Sequence, residues 1–248
     1  MVERVRQAVL AAGMAAILVA AVAAGAGAAG KPPRQSGKDV FTSDKRGAAT
    51  GTSLHIKFRN PEHPGQKPHT LTRIVIHYPK GTTFDSKAAP QCHASDAELQ
   101  SEGAAACPPE SKVGGGVAVS DTGGSGPFPP RYTKSKISQF NGDHEVIGVG
   151  ENEDIPAIKT VTRTKIKGTT ASTDFPTFPG MGPPDDYTPL KSLTVDFPAR
   201  KTGKRATVRT PPRCPKSHRW TIRTDFTYVD GVTQHLTSRP PCRPKGKG

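Results

Sequence analysis

Aromatic side chains are scarce in this sequence. Phe, Trp and Tyr make up 6% of its 248 residues, with one Trp. A binder of single-stranded nucleic acid stacks bases on aromatic platforms, so the scarcity argues against that class. Large apolar residues are few as well. After residue 29, Leu, Ile, Val and Phe are about 16% of the chain, below the ~20% level at which disorder is the default for a highly charged sequence. There is no Cys-x-x-Cys pair, although His93 and His218 lie near cysteines, and structural zinc sites use such tight ligand pairs. Gly114-Gly115-Gly116 has no following lysine, so it is not a phosphate-binding loop; it reads instead as a turn that lets the chain swing into the next strand. Thr202-Gly203-Lys204-Arg205 lacks the first glycine of that motif, and a Gly-x-Ser-x-Gly nucleophile elbow is missing altogether. No metal and no cofactor is implied.

What is present begins with the N-terminus. Arg4 and Arg6 precede an almost wholly apolar stretch, 8–24, which is followed by small residues. That is the layout of a secretory signal peptide, residues 1–29, with cleavage expected near 26–29. Retention as a membrane anchor is the rival reading. The run is shorter than the ~20 residues a spanning helix needs and consists mostly of weakly apolar alanine. No cysteine stands near the cleavage region to make a lipoprotein. The expected location is extracellular or in the cell envelope.

All four cysteines, Cys92, Cys107, Cys214 and Cys242, fall in the exported part. An even count in an oxidising compartment reads as disulfides. Three pairings are possible, and chain order points to Cys92–Cys107 and Cys214–Cys242. Such clips would support a thin core.

The few apolar residues are arranged with a period of two. Leu54, Ile56 and Phe58 alternate with His55, Lys57 and Arg59. Ile74, Ile76 and Tyr78 do the same, and so do Leu193, Val195 and Phe197. These are half-buried strands. Asn141-Gly142 marks a hairpin. Around Asp230-Gly231, a three-residue loop Val229–Gly231 pairs Phe226 with Gln234 and sets Leu236 on the Trp220 face. Residues 155–168 alternate threonine with basic residues and read as an exposed or edge-like strand. Ser95 with Glu98 has capping-box spacing and predicts a short helix over 95–103, inside the Cys92–Cys107 loop. The expected fold is all-β: a β-sandwich over 51–243 with that one helix. Residues 30–50 are expected to be a disordered basic segment that enters the first strand near Val40-Phe41. The Pro/Gly-rich stretch 169–187 is a long loop or a sub-boundary, and 244–248 is a basic tail.

The formal net charge is +14. Its clusters are Lys134 and Lys136; Arg163, Lys165 and Lys167; and Arg200, Lys201, Lys204 and Arg205. Such a field attracts polyanions, so these residues are candidates for contact with an anionic cell-wall polymer or an anionic membrane surface. The competing reading is that the charges provide solubility and blunt strand edges. Acids gather at Glu151, Glu153 and Asp154 and at Asp185-Asp186. Carboxylate catalysis needs two groups held apart across a cleft, and no residue stands out as catalytic.

Tyr78-Pro79-Lys80-Gly81, Gln91-Cys92, Leu99, Gly103, Ala106-Cys107-Pro108 and Ser111-Lys112-Val113-Gly114 together form a pattern. With a late cysteine pair, it resembles that of uncharacterised secreted proteins common in actinobacteria. The resemblance implies an exported β-rich domain with disulfides and brings no active-site residue. The functional expectation is a secreted, disulfide-stapled, non-enzymatic protein that binds anionic envelope polymers. The alternative is a secreted hydrolase whose site carries no motif.

Overall fold

In the computed structural model, residues 32–125 and 130–243 are described. The expected signal peptide and the tail 244–248 lie outside them. The chain forms eleven strands of one antiparallel sheet: β1 (Gln35–Phe41), β2 (Thr52–Phe58), β3 (Leu71–His77), β4 (Lys112–Asp121), β5 (Tyr132–Asn141), β6 (Glu145–Asn152), β7 (Lys159–Lys167), β8 (Thr170–Asp174), β9 (Leu190–Phe197), β10 (Ile222–Tyr228) and β11 (Thr233–Ser238). Their order across the sheet is β1-β2-β9-β4-β5-β6-β7-β8-β3-β10-β11. The sheet curls until its outer strands meet. There Arg34 N donates to Gln234 Oε1 at 2.8 Å and Asp39 N to Ser238 Oγ at 2.9 Å. The all-β architecture is therefore a sandwich whose walls join into a barrel.

Several features depart from the sequence reading. Gln35–Phe41, expected to be largely disordered, is a strand paired with β2 along its whole length. Backbone pairing, rather than apolar content, holds QSGKDVF in place. Residues 169–187 are no boundary, because β8 pairs with both β7 and β3 in the same sheet. The strand β7 is not an edge: it lies between β6 and β8.

The apolar residues form three clusters. Two fill one side of the barrel. Ile56, Phe58, Leu71, Ile74, Leu193 and Phe226 belong to the first. Phe41, Tyr78, Trp220 and Ile222 belong to the second, with Trp220 edge-on to Phe41. The third lies on the opposite face of β5–β6. There Phe140, Ile147 and Val149 are covered by Leu99 and the Cys92–Cys107 bridge. Helix α1 (Asp96–Glu102) carries Leu99. It is capped as expected, with Ser95 and Glu98 in a reciprocal capping box. Arg163 fastens this helix to β7, donating to Asp96 Oδ1 at 2.7 Å, to Ala94 O at 3.0 Å and to Glu145.

The β10–β11 hairpin has the three-residue loop, with Phe226 opposite Gln234 and Gly231 at φ 79°. The β5–β6 hairpin forms where Asn141-Gly142 marks it, but its tip lies one residue pair further on. Gly142 N bonds Glu145 O at 2.9 Å, which puts Asp143-His144 at the tip. Asn141 serves elsewhere: its Nδ2 donates to Ser86 O at 2.7 Å, Ala89 O at 2.9 Å and Pro90 O at 3.1 Å. It thereby anchors the segment that leads into the first disulfide loop, and its carbonyl accepts from Cys92 N at 2.8 Å. The glycine run 114–116 does not turn the chain but lies inside β4. A Cβ on Gly116 would collide with the Thr194 carbonyl of β9, so the close approach of these strands requires glycine there.

Both bridges follow chain order, closing separations of 15 and 28 residues. On the loop-entropy account each is worth about 3 to 4 kcal/mol. Urea unfolding with and without reductant is expected to show a loss of about that size per bridge. An unchanged midpoint would remove the disulfides from the stability of this fold.

Candidate functional site

Strand alternation sends Phe140, Ile147 and Val149 outward under helix α1, so their neighbours on β5–β7 point into the barrel. Those neighbours are small or polar. The inward row across the wall is Gln139, Gly148, Thr162, and the next is Ile137, Gly150, Thr160. Opposite stand Leu54, Ile74, Ile76, Leu193, Val195 and Phe197. Between the two walls runs a cavity of about 580 Å³, within the ~300–1,000 Å³ range of small-molecule sites. Thr133, Ser135, Gln139, Thr160, Thr162 and Thr164 line its polar side, and the ionisable side chains that touch it, Asp85, His144 and Glu145, sit at one end. The two glycines of β6 make the room. A Cβ on Gly148 would collide with the Thr162 hydroxyl and stand 3.2 Å from both amide atoms of Gln139. At Gly150 the nearest atom would be Thr160 Cβ at 3.5 Å, an ordinary contact.

The cavity follows the strands. From Ile158, just before β7, to Ile166 within it is ~26 Å at ~3.3 Å per residue, or ~20 Å along the axis of a barrel with strands tilted ~40°. Ile158 and Met181 line its outer end and are 38% and 47% exposed. Met181 belongs to the loop 175–189, which is tied down firmly. The buried Lys67 Nζ donates to Asp185 O at 2.7 Å and Tyr187 O at 2.6 Å. Burial pushes its ammonium pKa down, and the carboxylates of Asp185, Asp121 and Asp186 oppose that. Thr70 Oγ1 donates to Asp185 Oδ1 at 2.8 Å.

The opposite end of the barrel carries both disulfides and a dense patch of basic charge. Residues 198–221 and 239–243, joined by Cys214–Cys242, hold ten Lys and Arg and no Asp or Glu. Of the contact candidates, Arg200, Lys201, Lys204 and Arg205 lie here. Arg205 reaches Asp85 at 3.7 Å, and Arg200 donates to the Lys112 carbonyl. Lys201 and Lys204 are exposed. The other candidates lie on the strand wall. Lys134 pairs with Glu153 at 3.0 Å, Lys136 faces Glu151 across the ladder and Lys165 faces Glu145. Lys167 is exposed at the end of β7, and Arg163 is committed to the α1 clamp.

The acidic clusters serve as local braces. Glu151 Oε1 accepts from Ala104 N at 3.3 Å and Asp154 Oδ2 from Lys134 N at 2.8 Å. A Ser–His–Asp set does assemble: Ser53 Oγ lies 2.9 Å from His55 Nε2 and donates to Asp196 Oδ1 at 2.5 Å. Sequence reading missed it because Asp196 is more than a hundred residues away and meets Ser53 only through β2–β9 pairing. It is not a catalytic triad. Asp196 bonds the same Nε2 at 3.1 Å, so the ring has no separate nitrogen for orienter and nucleophile, and the group sits on an outward sheet face rather than in a cleft. Among the described residues, no group of three or more His, Cys, Asp or Glu side chains is placed to hold a metal. Comparison with protein-family models, curated proteins and solved structures found no match.

One buried acid belongs to neither end. Asp39 is 1% exposed at the closing seam, and neither carboxyl oxygen has a hydrogen-bond partner. Burial raises its pKa to about 7, offset in part by the neighbouring Thr224 hydroxyl. Its charge would also act on Tyr78, whose phenol is raised well above its usual value, first by burial and then by Asp39. The folded state accepts Asp39 protonated. The stability present below about pH 4 is therefore lost as pH rises through about 7. The full loss is on the order of 4 kcal/mol. Asp39→Asn is expected to flatten the fall between pH 4 and 8 and to be the more stable protein at pH 8, as read by urea midpoints. A wild-type midpoint independent of pH would refute this.

Proposed function

We propose that this chain is a secreted, non-enzymatic binding protein and that the barrel interior is its ligand site. The observation that carries the reading is the 580 Å³ cavity with one apolar wall and one neutral hydroxyl- and amide-bearing wall. Space of this kind works against stability. An unfilled apolar cavity costs ~24 cal/mol per Å³, and Gly148 and Gly150 maintain it where side chains would otherwise close it. Two disulfides suit an oxidising, extracellular setting. The N-terminal leader and the resemblance around Cys107 support export.

A second reading rests on a separate observation, the acid-free basic segments joined by Cys214–Cys242. They favour contact with an anionic envelope polymer at the end of the barrel opposite Met181. On that reading a leaderless protein is retained on a polyanionic matrix at low salt and released as salt rises. Lys201→Glu/Lys204→Glu elutes earlier. Flow-through at low salt would dismiss it.

The cavity reading is tested with the neutral fluorophore N-phenyl-1-naphthylamine. Wild type is expected to bind it saturably. Gly150→Leu should fill the interior, weaken binding by at least about tenfold and leave the unfolding midpoint unchanged or higher. Binding undiminished in Gly150→Leu would refute the cavity as the site.

A further inference from the structure

We infer that the barrel receives a neutral long-chain alcohol, hydroxyl end first, with the hydroxyl held in the Gln139–Thr162 row and the chain running toward Met181. This rests on the interior being the ligand site and adds what the ligand must be. Three observations carry it.

The first is an orphaned polar group. Gln139 is 8% exposed, lines the cavity, and its Oε1 has no hydrogen-bond partner. A buried amide oxygen without a donor is left with its desolvation uncompensated. Gly148, between Gln139 and Thr162 in register, leaves the amide and the Thr162 hydroxyl facing the same space. A ligand hydroxyl both donates and accepts, so it satisfies Gln139 in either amide orientation and Thr162 at once.

The second is charge. No Lys or Arg lines the cavity; of the ionisable groups that touch it, Asp85 and Glu145 are paired with Arg205 and Arg163, and His144 is exposed at the β5–β6 hairpin tip, away from the Gln139–Thr162 row. A carboxylate brought inside would lose its hydration with no counter-ion, which a low-dielectric interior penalises heavily. Fatty acids are therefore the wrong ligands although their chains would fit. A plain hydrocarbon would fill the space but leave Gln139 unpartnered.

The third is length. From Gln139 to Thr133 on β5 is ~20 Å along the strand, or ~15 Å along a tilted axis. That is about the depth of one leaflet of the ~30 Å hydrocarbon core of a bilayer, the reach of a single lipid chain. The chain would lie against Ile137, Leu193 and Val195 and emerge where Ile158 and Met181 are exposed.

The test is displacement of N-phenyl-1-naphthylamine at pH 8 by 1-dodecanol, dodecanoate and dodecane, in wild type, Gln139→Met and Thr162→Val. Dodecanol is expected to compete at about tenfold lower concentration than either of the others, the worth of one well-made buried hydrogen bond. Gln139→Met should remove that advantage while leaving dodecane unchanged. Thr162→Val provides the same readout should Gln139→Met not fold. If dodecanoate matches or beats dodecanol, or if both variants weaken all three competitors equally, the inference is overturned while the cavity remains a site. If the fluorophore does not enter wild type, or enters Gly150→Leu equally well, the cavity reading itself fails.

Discussion

The number of strands constrains everything else. An eight-stranded barrel is just wide enough for its own side chains to fill, and diameter grows with strand number. Eleven strands joined edge to edge therefore enclose more room than this chain can fill. With so few large apolar residues, the interior divides. Aromatic and aliphatic side chains close-pack the side formed by β1, β2, β3, β9 and β10, where Phe41 packs on Trp220 and Phe58 on Phe226. The wall formed by β5, β6 and β7 presents threonines, Gln139 and two glycines, and the space in front of it stays open. Neutral hydroxyls make such a wall tolerable, since they can be hydrogen-bonded without carrying charge into the interior.

Stability is consequently found outside the barrel as well as within. The outward face of β5–β6 is apolar enough to need a cover, and the Cys92–Cys107 loop provides it with Leu99, fastened by Asn141 and Arg163. The second bridge binds a basic, turn-rich connection to the end of β11. Both covalent staples lie toward the same end of the barrel, and the Met181 end is braced by Lys67 and Asp185 instead. The molecule thus has one basic, cross-linked end and one weakly apolar end, with a neutral passage between them.

The buried Asp39 shows the same economy from another side. It sits where β1 meets β11, a seam joined by side chains rather than by a ladder. Closure there leaves a carboxyl with no partner, and protonation is the cheapest way to keep it in the dry interior. The seam is accordingly the part of the barrel whose strength follows pH.

Much of the fold was legible in sequence because local rules govern it. Alternation in β2, β3 and β9, the Ser95–Glu98 cap, the Val229–Gly231 loop and the chain-order pairing of cysteines are all set by neighbours a few residues away. The misreadings share a cause. β7 reads as an edge because its threonines look solvent-facing, and Gly114–Gly116 reads as a turn because glycine usually is one. Asn141 reads as a hairpin tip although it anchors a loop some fifty residues earlier in the chain. Each of these residues faces something brought to it by another strand. Composition and periodicity by themselves determined an exported-looking, basic, disulfide-bearing β protein. Only the tertiary structure decided that its polar threonine strand lines an interior, that two glycines hold that interior open, and that Gln139 and Thr162 meet there, because those facts depend on register across strands and a one-residue shift would reverse every one of them.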